Sequence, residues 1–202
     1  MMKFKYNFFT YKAHWASTNI VPASYECSYC GNLVTSEKGL ALVTGERGQE
    51  VSYSDPRGGV YICPNCSYPT YIYQEEQVPL PRFGESIKYL PKEVDTIYEE
   101  ARESFSVGAY TAVMLLCRKL LMHVAVNLGA EKDKNFLYYV DYFKKEGYIS
   151  KNARPWVDKI RKLGNEANHE ITIGNREDAK KIIKFSAMLL KTNYEYPNEI
   201  ED

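Results

Sequence analysis

Two Cys-x-x-Cys pairs, Cys27/Cys30 and Cys63/Cys66, constrain the fold of this chain more than any other sequence feature. Two residues between the cysteines of a pair let both thiolates face one metal ion across a tight turn, and two such turns supply the four sulfurs of a tetrahedral zinc site. The 32 residues between the pairs suffice for a few strands to leave the site and return. The spacing therefore predicts a zinc ribbon that holds Zn²⁺.

The zinc is expected to be structural, because four cysteine ligands leave no coordination position open for a water or a substrate. A thioredoxin-like redox pair would need a βαβ setting, which the surrounding sequence lacks. His14 lies upstream and could in principle replace a ligand, although four cysteines already complete the set. Basic residues are sparse near the pairs, which favours a scaffold or protein-contact role for the ribbon over strong nucleic-acid binding.

Composition excludes several classes of protein. The 26 basic residues are balanced by 26 acidic ones, which argues against a DNA-wrapping protein coated in positive charge. The longest apolar stretch, Ala112–Cys117, is far shorter than the roughly 20 residues of a membrane span. The N-terminus lacks the apolar run and cleavage site of a signal peptide. We therefore expect a cytoplasmic protein that makes no membrane contact.

The chain is expected to contain two domains joined by a linker. Residues 1–78 are rich in Tyr, Val, Thr and Gly, and they carry short runs typical of strands. Those runs are Leu40–Thr44, Val60–Ile62 and Thr70–Tyr73. Residues 79–90 contain Pro79, Pro81 and Gly84, which resist helix and central strand alike, so they are the predicted linker.

Residues 91–202 have a helical pattern. Helices are predicted over about 91–106, 109–128 and 135–146, from about 150–152 onward, and over 177–194, the last being ended by Pro197. The helix over 109–128 is apolar nearly all round and is expected at the centre of a bundle. The predicted fold class is thus α+β multidomain: a small β-rich zinc ribbon followed by an all-α bundle of about five helices.

A candidate catalytic stripe lies within the fourth predicted helix. Arg161, Asn165 and His169 are spaced four apart and would share one helical face, roughly opposite an apolar face. An imidazole can move a proton near neutral pH, and an arginine can hold a phosphate. The alternative is a solvated surface without function, and Gly164 next to Asn165 could also end the helix.

The same region carries a local excess of positive charge that would suit a polyanion such as RNA. Seven basic residues (Lys144, Lys145, Lys151, Arg154, Lys159, Arg161 and Lys162) stand against Glu146 and Asp158.

Several short motifs in the helical half resemble a known bacterial module. They are Leu90-Pro91, Gly108-Ala109-Tyr110, Arg118-Lys119-Leu120-Leu121, Gly147-Tyr148-Ile149-Ser150 and the run from Ile160 to His169. With these landmarks, residues from about 90 to 197 resemble domain of unknown function 4145. That family looks like a branch of the HEPN superfamily, the higher eukaryote and prokaryote nucleotide-binding domains.

The resemblance implies a HEPN-like helical bundle that is often a homodimer. Many HEPN proteins are metal-independent ribonucleases of defence and toxin systems, and their motif is an arginine followed after four to six residues by a histidine. Here Asn165 and His169 match the second half of that motif. Gly164 stands where the arginine would precede the asparagine, and seven residues separate Arg161 from His169.

Two functions follow as hypotheses. In the first, the protein is a defence or toxin-type protein that acts on RNA, with His169, Arg161 and Asn165 as catalytic residues and no catalytic metal. In the second, it is a non-catalytic zinc-ribbon and HEPN module that binds nucleic acid or a partner protein in a restriction or defence system. A purely structural role in dimerisation is a third reading.

Overall fold

The computed structural model of this chain describes residues 14–42, 58–149 and 173–201. The chain divides into two compact units, Met1–Arg82 and Phe83–Asp202, each with its own hydrophobic core. The first unit is a β-sheet and the second is helical, which confirms the predicted α+β layout.

The N-terminal unit is an antiparallel sheet in which strand order follows the sequence, β1-β2-β3-β4-β5. The strands are β1 (Thr18–Glu26), β2 (Leu33–Ala41), β3 (Gly58–Ile62), β4 (Pro69–Tyr73) and β5 (Glu76–Val78). The runs predicted at Val60–Ile62 and Thr70–Tyr73 lie in β3 and β4. Of Leu40–Thr44, only the first two residues belong to β2, and its last two lie outside the described residues.

Strand β1 is absent from the sequence-based prediction because its sequence reads as a turn. It contains Pro22, which cannot donate a ladder hydrogen bond, together with Asn19 and Ser24. The structure accommodates the proline at the sheet edge, where the register with β2 shifts between Asn19 and Ala23. An edge position and a bulge are the two places where a strand tolerates proline.

The two faces of the sheet differ in burial. One face carries Ile20, Tyr61 and Thr70, which are all buried. The other face carries Leu40, Val60, Tyr71 and Val78, which stand directly opposite one another across β2, β3, β4 and β5. Leu40 is 57% exposed, Tyr71 38% and Val78 57%. We call these four residues the apolar row.

Within the described residues, the C-terminal unit contains α1 (Lys92–Ser106), α2 (Tyr110–Asn127), α3 (Phe136–Lys145), α4 (Arg176–Leu190) and α5 (Tyr196–Glu201). The helix predicted from about 150–152 onward lies outside the described residues. The first three begin and end within one residue of the predicted bounds. Helix α2 packs against α1, α3 and α4, so it is central, as its apolar sequence predicted. Asn135 and Asn175 cap α3 and α4 through their side chains, as expected for residues of this type.

Proline 197 does not end the last long helix, contrary to the prediction. Helix α4 continues through a π-helical turn, Lys191–Glu195, into α5. In the wider turn the Tyr196 N–H donates to the Lys191 carbonyl, five residues back. Pro197 is therefore the second residue of α5 and lies directly after the π-helical turn.

The second half of the predicted linker packs on the helical core. We call Phe83–Leu90 the strap. Phe83 packs against Phe105 with ring centroids 5.0 Å apart and the rings tilted by 31°, and Ile87 is buried. The buried Arg102 donates from Nη2 to the Gly84 carbonyl at 2.7 Å. At the other end, the Lys88 N–H donates to the Glu195 carboxylate at 2.6 Å. The strap thus belongs to the helical unit.

Candidate metal centre

The two cysteine pairs lie in the turns of two hairpins, one between β1 and β2 and the other between β3 and β4. Each turn begins directly after a strand, because Cys27 follows Glu26 and Cys63 follows Ile62. The N–H four residues beyond the first cysteine donates back to that cysteine's carbonyl, from Gly31 at 2.8 Å and from Ser67 at 2.9 Å. We call these turns the two knuckles.

The knuckles share further backbone geometry. In each, the N–H of the first cysteine donates to the carbonyl five residues later, over 2.9 Å for Cys27 and 3.0 Å for Cys63. In each, the residue that closes the turn is left-handed, with φ of 71° at Gly31 and 61° at Ser67. Two turns of the same design therefore present their thiols in the same way.

The four sulfur atoms converge on one point. All four lie within 4.8 Å of one another. Cys27 Sγ is 3.6 Å from Cys66 Sγ, and Cys30 Sγ is 3.9 Å from Cys63 Sγ. A tetrahedral site with metal–sulfur bonds of about 2.3 Å places its sulfurs about 3.8 Å apart. Both contacts between the knuckles match that edge, so the four cysteines could hold a metal ion. His14 is not part of this cluster.

Burial divides each pair into an inner and an outer cysteine. Cys27 and Cys63 are fully buried, whereas Cys30 and Cys66 are partly exposed. Burial raises the pKa of the Cys27 thiol to about 11 and also raises the pKa of Cys66. Burial raises the pKa of Cys30 too, but hydrogen bonds from Asn65 and Asn32 outweigh it and lower the pKa to about 7. A bound cation would replace the protons of these thiols.

Polar contacts hold the first knuckle in place. Gln77 in β5 donates from Nε2 to the Glu26 carbonyl at 2.8 Å and to the Pro79 carbonyl at 3.0 Å. Ser28, inside the knuckle, also donates to the Pro79 carbonyl, at 2.7 Å. The short strand β5 is thereby tied to the metal centre, a role that the sequence pattern did not predict.

Aromatic side chains flank both knuckles. Tyr29 of the first knuckle stacks on Tyr68, which follows the second, with ring centroids 4.8 Å apart and planes 21° apart. The Trp15 indole N–H donates to the Ser67 carbonyl at 2.6 Å. The tyrosine stack thus joins the two knuckles by packing, and the Trp15 hydrogen bond ties the second knuckle to the segment before β1.

The predicted catalytic residues Arg161, Asn165 and His169 lie outside the described residues, so their arrangement stays a prediction. Of the basic stretch, Lys144 and Lys145 are described, and both are exposed at the end of α3. None of the described helices has the length and apolar character needed to cross a bilayer.

Comparison with known protein families identifies a family for most of the helical unit. Residues 99–202, just over half of the chain, match the family model described as domain of unknown function (DUF4145). The chain belongs to the DUF4145 family. The DUF4145 match begins at Glu99, inside α1, so the strap and the sheet lie before it. No curated protein and no solved structure matches this DUF4145 chain significantly.

Proposed function

We propose that the N-terminal unit is a zinc ribbon and that Cys27, Cys30, Cys63 and Cys66 hold a structural Zn²⁺. The two sulfur–sulfur contacts between the knuckles, 3.6 Å and 3.9 Å, support this assignment because they match a tetrahedral site. A zinc ion bound there would cross-link the two hairpins. Metal analysis of the purified chain is expected to give one zinc per chain, and Cys27→Ser with Cys63→Ser is expected to abolish it.

We also propose that the helical unit is HEPN-like and that this cytoplasmic protein acts on RNA as a homodimer. Membership of the DUF4145 family supports the proposal, together with the spacing of Arg161, Asn165 and His169 in the sequence. His169 would transfer protons at the reacting ribose hydroxyl and leaving oxygen, Arg161 would hold the phosphate, and Asn165 would orient the site. The reaction would need no catalytic metal.

The test is an RNA-integrity assay with wild type and His169→Ala in the presence of EDTA, using mixed RNA substrates. Circular dichroism in the same buffer checks that both proteins remain folded. Cleavage by wild type alone is the expected result. Equal cleavage by both proteins would contradict the assignment of His169.

A second candidate is a non-catalytic module that binds nucleic acid or a partner protein in a restriction or defence system. Gly164 favours it, because this glycine stands where the motif of the resembled family has arginine. The absence of cleavage by folded wild type across all RNA substrates would favour this candidate. Binding that weakens steeply with salt would then indicate a nucleic-acid ligand.

A further inference from the structure

The outer face of the sheet carries a pattern that none of the functions above uses. Its centre is the apolar row, in which Leu40, Val60, Tyr71 and Val78 are cross-strand neighbours on one face. Three of the four side chains are more than a third exposed. Leu42, which extends beyond β2 through a hydrogen bond from its N–H to the Gly58 carbonyl, adds another exposed apolar side chain beside the row.

Two opposite charges stand at diagonal corners of this face. Lys38 lies two residues before Leu40 in β2, and Glu76 lies two residues before Val78 in β5, so both share the face of the row. Successive strands are antiparallel, so β2 and β5 run in opposite directions. Lys38 is therefore on one side of the row and Glu76 on the other, with strands β3 and β4 between them. Both are exposed.

We propose that this face docks on the same face of a second copy of this chain, through a twofold axis. A twofold axis that brings Lys38 of one copy to Glu76 of the other also creates the reciprocal pair, because an isologous interface repeats each contact. The apolar rows then pack against each other between the two ion pairs. The inference goes beyond the RNA-directed function and does not depend on it.

The charge pattern selects this occupant over others. A nucleic acid or an anionic membrane requires an excess of positive charge around the apolar residues. Among the described residues on this face of β2 to β5, one lysine is balanced by one glutamate, so this part of the face is complementary to itself. Lys38 is also oriented on this face by its hydrogen bond to Asn19 Oδ1, its partner across β1 and β2.

The size of the face predicts a weak interaction. Four strands about 4.8 Å apart, and three residues deep along each strand, present roughly 200 Å². A stable interface of standard size buries about 800 Å² on each partner. We therefore expect this face to associate only toward high protein concentration, in a step separate from the homodimer proposed for the helical unit.

The test is sedimentation velocity of the zinc-loaded full chain from low-micromolar to sub-millimolar concentration. Leu40→Asp is expected to weaken the concentration-dependent step by more than about thirtyfold, because it places a charge in the apolar row of both copies. Lys38→Glu and Glu76→Lys are each expected to weaken it about three- to tenfold, since each reversal creates two like-charge contacts. The double reversal is expected to restore the wild-type value within about twofold, because both ion pairs re-form.

The matched control is Glu75→Lys, which makes the same charge change next to Glu76 but in the turn between β4 and β5. It should leave the association unchanged. Retained zinc content and an unchanged circular dichroism spectrum show that each variant is folded. A wild type without concentration-dependent association would overturn the proposal. An association that Leu40→Asp leaves unchanged would also overturn it. So would a double-reversal variant that associates more weakly than either single variant. If the only association is a tight dimer that no sheet variant affects, the interface lies elsewhere and the proposal is overturned.

Discussion

At the residue scale, the two knuckles need the same left-handed backbone conformation at one position, which is occupied by two different residue types. The position that closes each turn is left-handed, and it is occupied by Gly31 in one knuckle and Ser67 in the other. A residue with a Cβ in this conformation costs about 1–2 kcal/mol relative to its preferred region, whereas glycine adopts it freely. One knuckle can therefore gain a Cβ at this position and the other can lose one, and we expect the two substitutions to change stability in opposite directions.

Gly31→Ala is expected to destabilise the N-terminal unit by about 1 kcal/mol, and Ser67→Gly is expected to be neutral or stabilising by up to about 1 kcal/mol. A Cβ at Gly31 would meet nothing within 4 Å, so the cost comes from the backbone conformation alone. Urea unfolding of the zinc-loaded proteins measures both values. Equal effects of the two substitutions would show that the knuckles are not equivalent.

The five cysteines are expected to separate into two reactivity classes. Cys117 is fully buried in α2, and burial raises the pKa of its thiol to about 12, so this thiol stays protonated and shielded near pH 8. With zinc bound, all five thiols should react slowly with a thiol-specific reagent. Addition of a chelator should release four reactive thiols, and denaturant should release the fifth. Release of all five by chelator alone would contradict the assignment of Cys117 to a separate core.

At the element scale, the strap shows how a segment that reads as a linker becomes part of a core. Pro79, Pro81 and Gly84 predict an irregular linker, and the strap, which is its second part, is irregular. Its burial depends on Arg102 and Glu195, whose hydrogen bonds to Gly84 and Lys88 span 18 and 107 positions of sequence. Contacts over such distances leave no periodic signal in the segment itself.

Gly84→Ala is expected to destabilise the helical unit more than Gly147→Ala does. Both glycines have positive φ, of 90° and 82°, so both substitutions carry the same backbone cost. At Gly84 a Cβ would also lie 2.8 Å from Ile183 Cγ2 and 3.0 Å from the Tyr98 hydroxyl, whereas at Gly147 it would meet nothing within 4 Å. The difference in unfolding free energy should be about 1–3 kcal/mol. Equal losses of unfolding free energy in the two variants, measured by thermal or denaturant unfolding, would mean that the strap shifts to make room for the added methyl group at no energetic cost.

The elements that sequence reasoning predicted are those with local signals. The cysteine spacing gave the knuckles, and apolar periodicity with flanking glycines gave α1, α2 and α3. Strand β1 and the passage through Pro197 were missed because proline is a strong local signal that a bulge or a π-helical turn can override. The role of Gln77 was missed because it depends on a tertiary contact with the first knuckle.

At the scale of the whole molecule, the two units have separate cores, one centred on the cysteines and the other on α2. The family match starts at Glu99, sixteen residues after the helical unit begins at Phe83. The strap and the first part of α1 supply Ile87, Val94 and Tyr98 to the helical core, and all three are buried. The matched family segment is thus smaller than the unit that buries the core.

A fragment of residues 83–202 is therefore expected to fold, and a fragment of residues 99–202 is expected to lack cooperative unfolding. Removal of three buried apolar side chains, each contributing about 1.5–3 kcal/mol, approaches the total stability of a small domain. Thermal unfolding followed by circular dichroism compares the two fragments. A shorter fragment as stable as the longer one would mean that the strap and the first part of α1 add no stability to the helical core.

The equivalence of the two knuckles has a kinetic consequence. Each β-hairpin brings half of the coordination sphere, so an ion captured by one hairpin alone would keep solvent molecules as its remaining ligands and exchange rapidly. Once both hairpins have closed on it, exchange requires them to part. The rate at which isotopically labelled zinc leaves the folded chain should therefore report how often the hairpins separate. The exchange rate of the ion would thus measure how often the sheet unit opens.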